Sequence, residues 1–209
     1  MPRKTSIPSG QSKVTDVEYA SELSTVSDST GRRVGAAEWA QVPTSESPVI
    51  ALASYQSQDA ALTIGKFQSD KIESIIAEPL QAGVRSLAWH PGSYAGVIGT
   101  IAKNLLPTLH YFTYIPDEHR IDMRPISFET EEVYGLEWDP SGQYLAVLKK
   151  SSNEQVTIYK KTVTGIKKVS GALLDRNHVV RGYDISWHPE GRGLIVGASD
   201  RKSTRLNSS

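Results

Sequence analysis

Apolar residues in this chain recur at every second position over short runs, and turn-forming residues cut the runs apart. Val133 to Lys161 is the clearest unit. Leu136 and Trp138 share one side of its first run while Gly135 and Glu137 take the other, which is the period of a β-strand. Asp139-Pro140-Ser141-Gly142 comes next as a turn, with proline presetting φ and glycine freeing the backbone to leave. Tyr144–Leu148 reads as a buried strand. Beyond the polar residues 149–155, Val156–Tyr159 reads as a third, rich in β-branched and aromatic side chains. Three antiparallel strands bury too little surface to stand alone, so the unit needs neighbours.

The neighbours are copies. Trp39, Trp89, Trp138 and Trp187 are spaced by 50, 49 and 49 residues. Three of them sit in near-identical phrases: Leu87-Ala88-Trp89-His90-Pro91-Gly92, Leu136-Glu137-Trp138-Asp139-Pro140-Ser141-Gly142 and Ile185-Ser186-Trp187-His188-Pro189-Glu190-Gly191. The first copy is worn, Ala37-Glu38-Trp39 with its proline delayed to Pro43. A fixed period of this size marks a repeat architecture. Chance spacing of four tryptophans would not also repeat the proline, the glycine and the next apolar strand.

The repeats lay out as about 34–83, 84–132, 133–181 and 182–200, inside a domain of 14–200. Strands are expected every ten to fourteen residues. The one helix-prone stretch, Ile72 to Glu78 closed by Pro79, is too short to change the reading. The pattern predicts an all-β fold, a β-propeller of about three and a half four-stranded antiparallel blades, hence a partial propeller. At strand positions alternating with Leu87, Leu136 and Ile185, the tryptophans are expected to pack between blades.

These phrases resemble the WD-repeat family of propellers. Its repeats carry a tryptophan-bearing inner strand, a Pro-Asp-Gly-like turn, an apolar second strand and a third strand often ending in Trp-Asp. The first three features occur at 87–98, 136–148 and 185–197, and the resemblance covers about residues 34–198. Trp-Asp is replaced by Gly65-Lys66, Phe112-Thr113 and Tyr159-Lys160, and the Gly-His pair before the inner strand is missing. The family's histidine–aspartate relay is therefore not carried over. The resemblance implies a non-catalytic protein–protein interaction scaffold within a larger intracellular complex. Its partners would be other proteins, held by the loops that lead into the inner strands: Glu78–Gly83, Glu129–Glu132 and Asp175–Arg181. Candidate partner-binding residues there are Glu129, Glu131 and Glu132 on an acidic loop, and Asp175, Arg176, His178 and Arg181 on a largely basic one. The alternative is a propeller attached to, or regulating, a hydrolase whose catalytic domain is missing from this fragment. A Gly-x-Ser-x-Gly with alternating strand and helix after it, downstream, would favour that alternative, and further blades the scaffold.

Composition narrows the field further. Of 209 residues, 23 are Lys or Arg and 23 Asp or Glu, so no bulk field draws the chain to nucleic acid or an anionic membrane. The absence of cysteine excludes disulfides and thiolate–metal sites. No apolar run of about 18 residues predicts a membrane helix. Residues 1–13 carry charge with no apolar segment behind, and read as a disordered lead-in, not a secretory signal. Val14–Leu23 reads as an isolated outer strand, and the expected location is intracellular, cytoplasmic or nuclear. Residues 201–209 resemble read-through of a sequencing adapter and are expected to be non-native.

No phosphate cradle or dinucleotide fingerprint is present, and Gly92-Ser93-Tyr94-Ala95-Gly96 lacks the order of a nucleophile elbow. Asp117 to Asp122, the densest titratable cluster, reads as a solvated turn between outer strands. His90, Asp139 and His188 fall in one column after the tryptophans. Turn chemistry accounts for them better than a ring of ligands, because successive blades set equivalent atoms well apart. No catalytic residue, cofactor, metal site or small-molecule ligand is expected.

Overall fold

The computed structural model describes residues 34–42, 48–55, 59–68, 71–101, 108–126, 131–150, 154–172 and 181–199. The expected lead-in, the isolated strand at Val14–Leu23 and the non-native tail lie outside them. Fourteen strands run through the described residues in chain order. The first blade is β1 (Val34–Trp39), β2 (Val49–Ser54), β3 (Ala61–Gln68) and β4 (Lys71–Pro79). The second is β5 (Val84–Trp89), β6 (Ala95–Thr100), β7 (Leu109–Ile115) and β8 (Arg120–Pro125). The third is β9 (Val133–Trp138), β10 (Tyr144–Lys149), β11 (Val156–Thr162) and β12 (Gly165–Ala172), and β13 (Arg181–Trp187) pairs β14 (Leu194–Ser199) in the fourth. Within each sheet every strand pairs antiparallel with its chain neighbour. This is an all-β partial propeller: three four-stranded blades and two strands of another.

Local sequence sets each element. β2 and β6 are buried along their whole length, as continuous apolar runs must be when a sheet is covered on both faces. The helix-prone residues 72–78 are strand throughout, because Ile72, Ile76 and their neighbours pair in register with β3. The titratable cluster at 117–122 is the expected turn: Pro116–Glu118 form a 3₁₀ turn, His119 takes a left-handed conformation, and Arg120 pairs with Glu118 (3.2 Å) and Asp122 (3.4 Å) on the surface.

The core is divided among the blade junctions. Leu87, Trp89 and Ile98 of the second blade pack on Ala51, Leu62 and Ile64 of the first. Their alternates Ala88 and Val97 turn the other way, onto Leu136, Trp138 and Leu145 of the third. Ala146 and Leu148 then face Ile185 and Trp187 of the fourth. Period-two alternation thus sends each strand's side chains to two different junctions. Trp89 and Trp138 are buried, as expected of inter-blade packing. Trp39 is the exception at 45% exposed, edge-on to Phe67 of the same blade.

Candidate interaction surfaces at the two rims

The inner strands β1, β5, β9 and β13 stand side by side. Their beginnings make a leading rim and their ends a trailing rim. At the leading rim each inner strand carries a bulge at the same place. Its register against the second strand slips between Val34 and Ala36, between Val84 and Ser86, between Val133 and Gly135, and between Gly182 and Asp184. The skipped residues, Gly35, Arg85, Tyr134 and Tyr183, each precede their tryptophan by four. A bulge adds one residue to one strand and re-aims the side chains around it.

Two of those bulge residues meet. The Arg85 guanidinium lies 4.3 Å from the centre of the Tyr134 ring and pairs with the Glu132 carboxylate. Glu131 pairs with the buried Lys149 ammonium at 3.3 Å. The loop backbone is pinned as well: the Glu131 carbonyl accepts the Thr108 hydroxyl (2.8 Å) and the Glu132 carbonyl accepts the Lys150 N–H (2.7 Å). The sequence-predicted residues Glu131 and Glu132 are therefore brought together at the junction of blades two and three. Arg181 opens β13 opposite Ser199. Glu129, Asp175, Arg176 and His178 lie outside the described residues. Beside the first predicted loop, Leu80, Ala82, His110 and Met123 line a cleft of about 320 Å³.

At the trailing rim the column after the tryptophans divides. Asp139 serves its own turn, accepting Tyr144 N–H at 2.6 Å and the Ser141 hydroxyl at 2.5 Å. His188 likewise accepts Glu190 N–H at 3.1 Å. His90 crosses to the next blade instead. Its Nδ1 meets the Ser93 hydroxyl (2.8 Å), and its Nε2 lies 2.9 Å from both the Gly142 carbonyl and Lys161 Nζ. Donation to Gly142 needs hydrogen on Nε2 and acceptance from Lys161 needs that nitrogen bare, so a neutral ring makes one of these two bonds at a time. Burial first, then the Lys161 charge, holds the ring's pKa below 6.5.

The glutamates before Trp39 and Trp138, missed in the sequence as functional groups, also reach across. Glu38 accepts the Trp89 backbone N–H at 2.8 Å and its carbonyl accepts the Trp89 indole N–H at 2.8 Å. Glu137 repeats this on Trp187 at 2.9 and 3.0 Å. Ala88 stands between them in the series, and the Trp138 indole N–H, buried, has no partner among the described residues. Both glutamates and the indoles of Trp89, Trp138 and Trp187 line one pocket of about 330 Å³. Burial raises the Glu38 carboxyl to about 7, against the Trp89 hydrogen bond that lowers it, and Glu137 raises it further. Burial raises Glu137 too, opposed by Trp187 and Ser186 and aided by Asp184. The signal that could have found these groups was the alternation Glu, Ala, Glu, Ser before successive tryptophans.

Among the described residues no three His, Asp or Glu side chains converge as a metal site would, and no helix is long and apolar enough to cross a membrane. No family profile and no curated protein matches the chain in sequence. In structure it is similar to a chain in the crystal structure of a mitotic checkpoint complex, with a TM-score of 0.53 at 15% identity. The match covers 72% of this chain and 44% of that one, so this chain spans less than half the length of its structural neighbour. At that identity the likeness shows the fold alone.

Proposed function

We propose that this chain is part of a non-catalytic protein–protein interaction scaffold of the WD-repeat type, working inside a larger intracellular complex. Proteins are captured at the leading rim, by the loops that carry Glu129, Glu131, Glu132, Asp175, Arg176, His178 and Arg181. The observation that carries this reading is the column of bulges, which repeats on all four inner strands and gathers Arg85, Glu132 and Tyr134 onto one rim. Loops held on a rigid sheet frame are where recognition concentrates, and bulged edges re-aim side chains for it. The adjoining cleft offers apolar surface beside this charge. The structurally similar chain belongs to a multi-protein complex, a setting that suits such a frame.

The test is charge reversal at the basic loop. Arg176→Glu with Arg181→Glu should leave the unfolding midpoint within experimental error and reduce recovery of co-purifying partners at least about tenfold, equivalent to about 1.4 kcal/mol. Unchanged recovery would remove this rim from consideration.

A further inference from the structure

The trailing-rim pocket is independent of that reading and is built differently. Its walls are three tryptophans and the prolines of the turns, and its polar side chains are Glu38 and Glu137, from blades one and three, with Gln41. Among the described residues no lysine or arginine lines it. The Trp89 N–H occupies one of the roughly four acceptor positions of the Glu38 carboxylate. The remaining lone pairs are partly withdrawn from water without a countercharge, a cost that a bound cation offsets. Each carboxyl is held up by burial, and Glu38 additionally by the charge of Glu137, as expected of acids facing an unneutralised neighbour. The volume of about 330 Å³ falls within the usual range of ligand pockets, about 300–1,000 Å³.

The apolar walls and the small number of oxygen ligands fix what kind of cation fits. Trp138, 5% exposed and part of the pocket wall, carries an indole N–H without a partner. The equivalent N–H groups of Trp89 and Trp187 both find a carbonyl oxygen on the preceding blade. A bare metal ion would prefer six or more oxygen ligands, more than two carboxylates supply. A basic side chain of a peptide fits both features of the pocket, a positive head for the carboxylates and an aliphatic stem that lies along indole and proline surface.

We propose that the trailing-rim pocket receives a lysine or arginine side chain of a partner protein. Its charge is met by Glu38 and Glu137, and its stem lies against the tryptophan and proline walls. The measurement is an NMR titration that tracks the indole N–H signals, with that of Trp138 identified by its loss in Trp138→Phe. The probes are three acetylated, amidated pentapeptides with lysine, arginine or norleucine between paired glycines. Saturable movement of the Trp138 signal at millimolar lysine or arginine peptide, with norleucine at least about tenfold weaker, is the expected result. Glu38→Gln with Glu137→Gln should weaken the basic peptides by at least about tenfold, since glutamine keeps an acceptor for each backbone N–H but loses the charge. Equal binding of norleucine, or an unmoved Trp138 signal with all three peptides, would overturn the proposal. The norleucine comparison needs no variant, so it decides the matter even where the double substitution lowers stability.

Discussion

Two neighbouring junctions of this propeller solve one problem in opposite ways. Between blades one and two, an acid before the tryptophan reaches forward: Glu38 takes the Trp89 backbone N–H and offers its carbonyl to the indole. Between blades two and three that acid is Ala88, and a base after the tryptophan reaches forward instead, His90 to the Gly142 carbonyl. The His90 ring packs edge-on to Trp138 at 4.9 Å, and the Trp138 indole N–H goes unpaired. Blades three and four return to the acid, Glu137 on Trp187. What the difference teaches is that the tryptophan supplies apolar bulk at every junction, while the polar latch is interchangeable.

The widest divergence between the latches is in pH. The Glu38 pKa rises from 4.5 unfolded to about 7 folded. The folded state then holds more protons across that interval, so stability is greatest below 4.5 and falls as pH climbs to 7, by up to about 3 kcal/mol at roughly 1.4 kcal/mol per unit. The Glu137 shift has the same direction. His90 is displaced the other way, below 6.5, so its contribution is present above 6.5 and lost as pH falls through the folded value. Urea midpoints taken across this range should show Glu38→Gln losing the decline toward neutrality and His90→Gln losing the acid-side decline. Identical pH profiles for the two variants would mean that the junctions are not chemically distinct.

The second contrast uses glycine. Gly142 and Gly191 both have φ of +69°, in repeats three and four. A Cβ on Gly142 would sit 2.6 Å from His90 Nε2, whereas one on Gly191 meets nothing closer than 3.9 Å. The His90 ring is held by Trp138 and Ser93 and cannot swing aside freely. Gly191→Ala should therefore cost about 1 kcal/mol, the penalty for a side chain in left-handed backbone. Gly142→Ala should cost about 2 kcal/mol, because it also displaces the inter-blade hydrogen bond. Equal costs in chemical denaturation would place His90 outside the junction's energetics.

Sequence carried the fold far and the latches hardly at all. The tryptophan spacing, the turn phrases and the apolar second strands marked nearly every strand, because burial on both faces leaves a continuous apolar run that composition reveals. The bulges were hidden. Gly35, Arg85, Tyr134 and Tyr183 share a position four before each tryptophan but, apart from the two tyrosines, no side-chain chemistry, and a register slip leaves no mark on residue type. His90 looked like a residue of its own turn, as Asp139 is, because nothing local shows that Gly142 and Lys161 arrive 52 and 71 residues later. Glu38 and Glu137 stood beside the most informative residues of the chain. Their role depends on how one blade is staggered against the next, which a single repeat does not contain.

The finest test isolates one hydrogen bond. Trp89→Phe and Trp138→Phe remove the same indole N–H and much the same volume from two buried junction sites. At position 89 the loss strands the Glu38 carbonyl, which had accepted that N–H at 2.8 Å. At position 138 the donor had no partner, so its removal also relieves a desolvated group. Trp89→Phe should therefore be the more destabilising by about 1 kcal/mol, with Trp187→Phe resembling it through the matching bond to Glu137. Because packing losses nearly cancel between the two sites, the difference reports the latch and not the bulk. Midpoints that coincide, or a larger loss at 138, would show that the unpaired indole is satisfied in solution and that the acid and base junctions are equally complete.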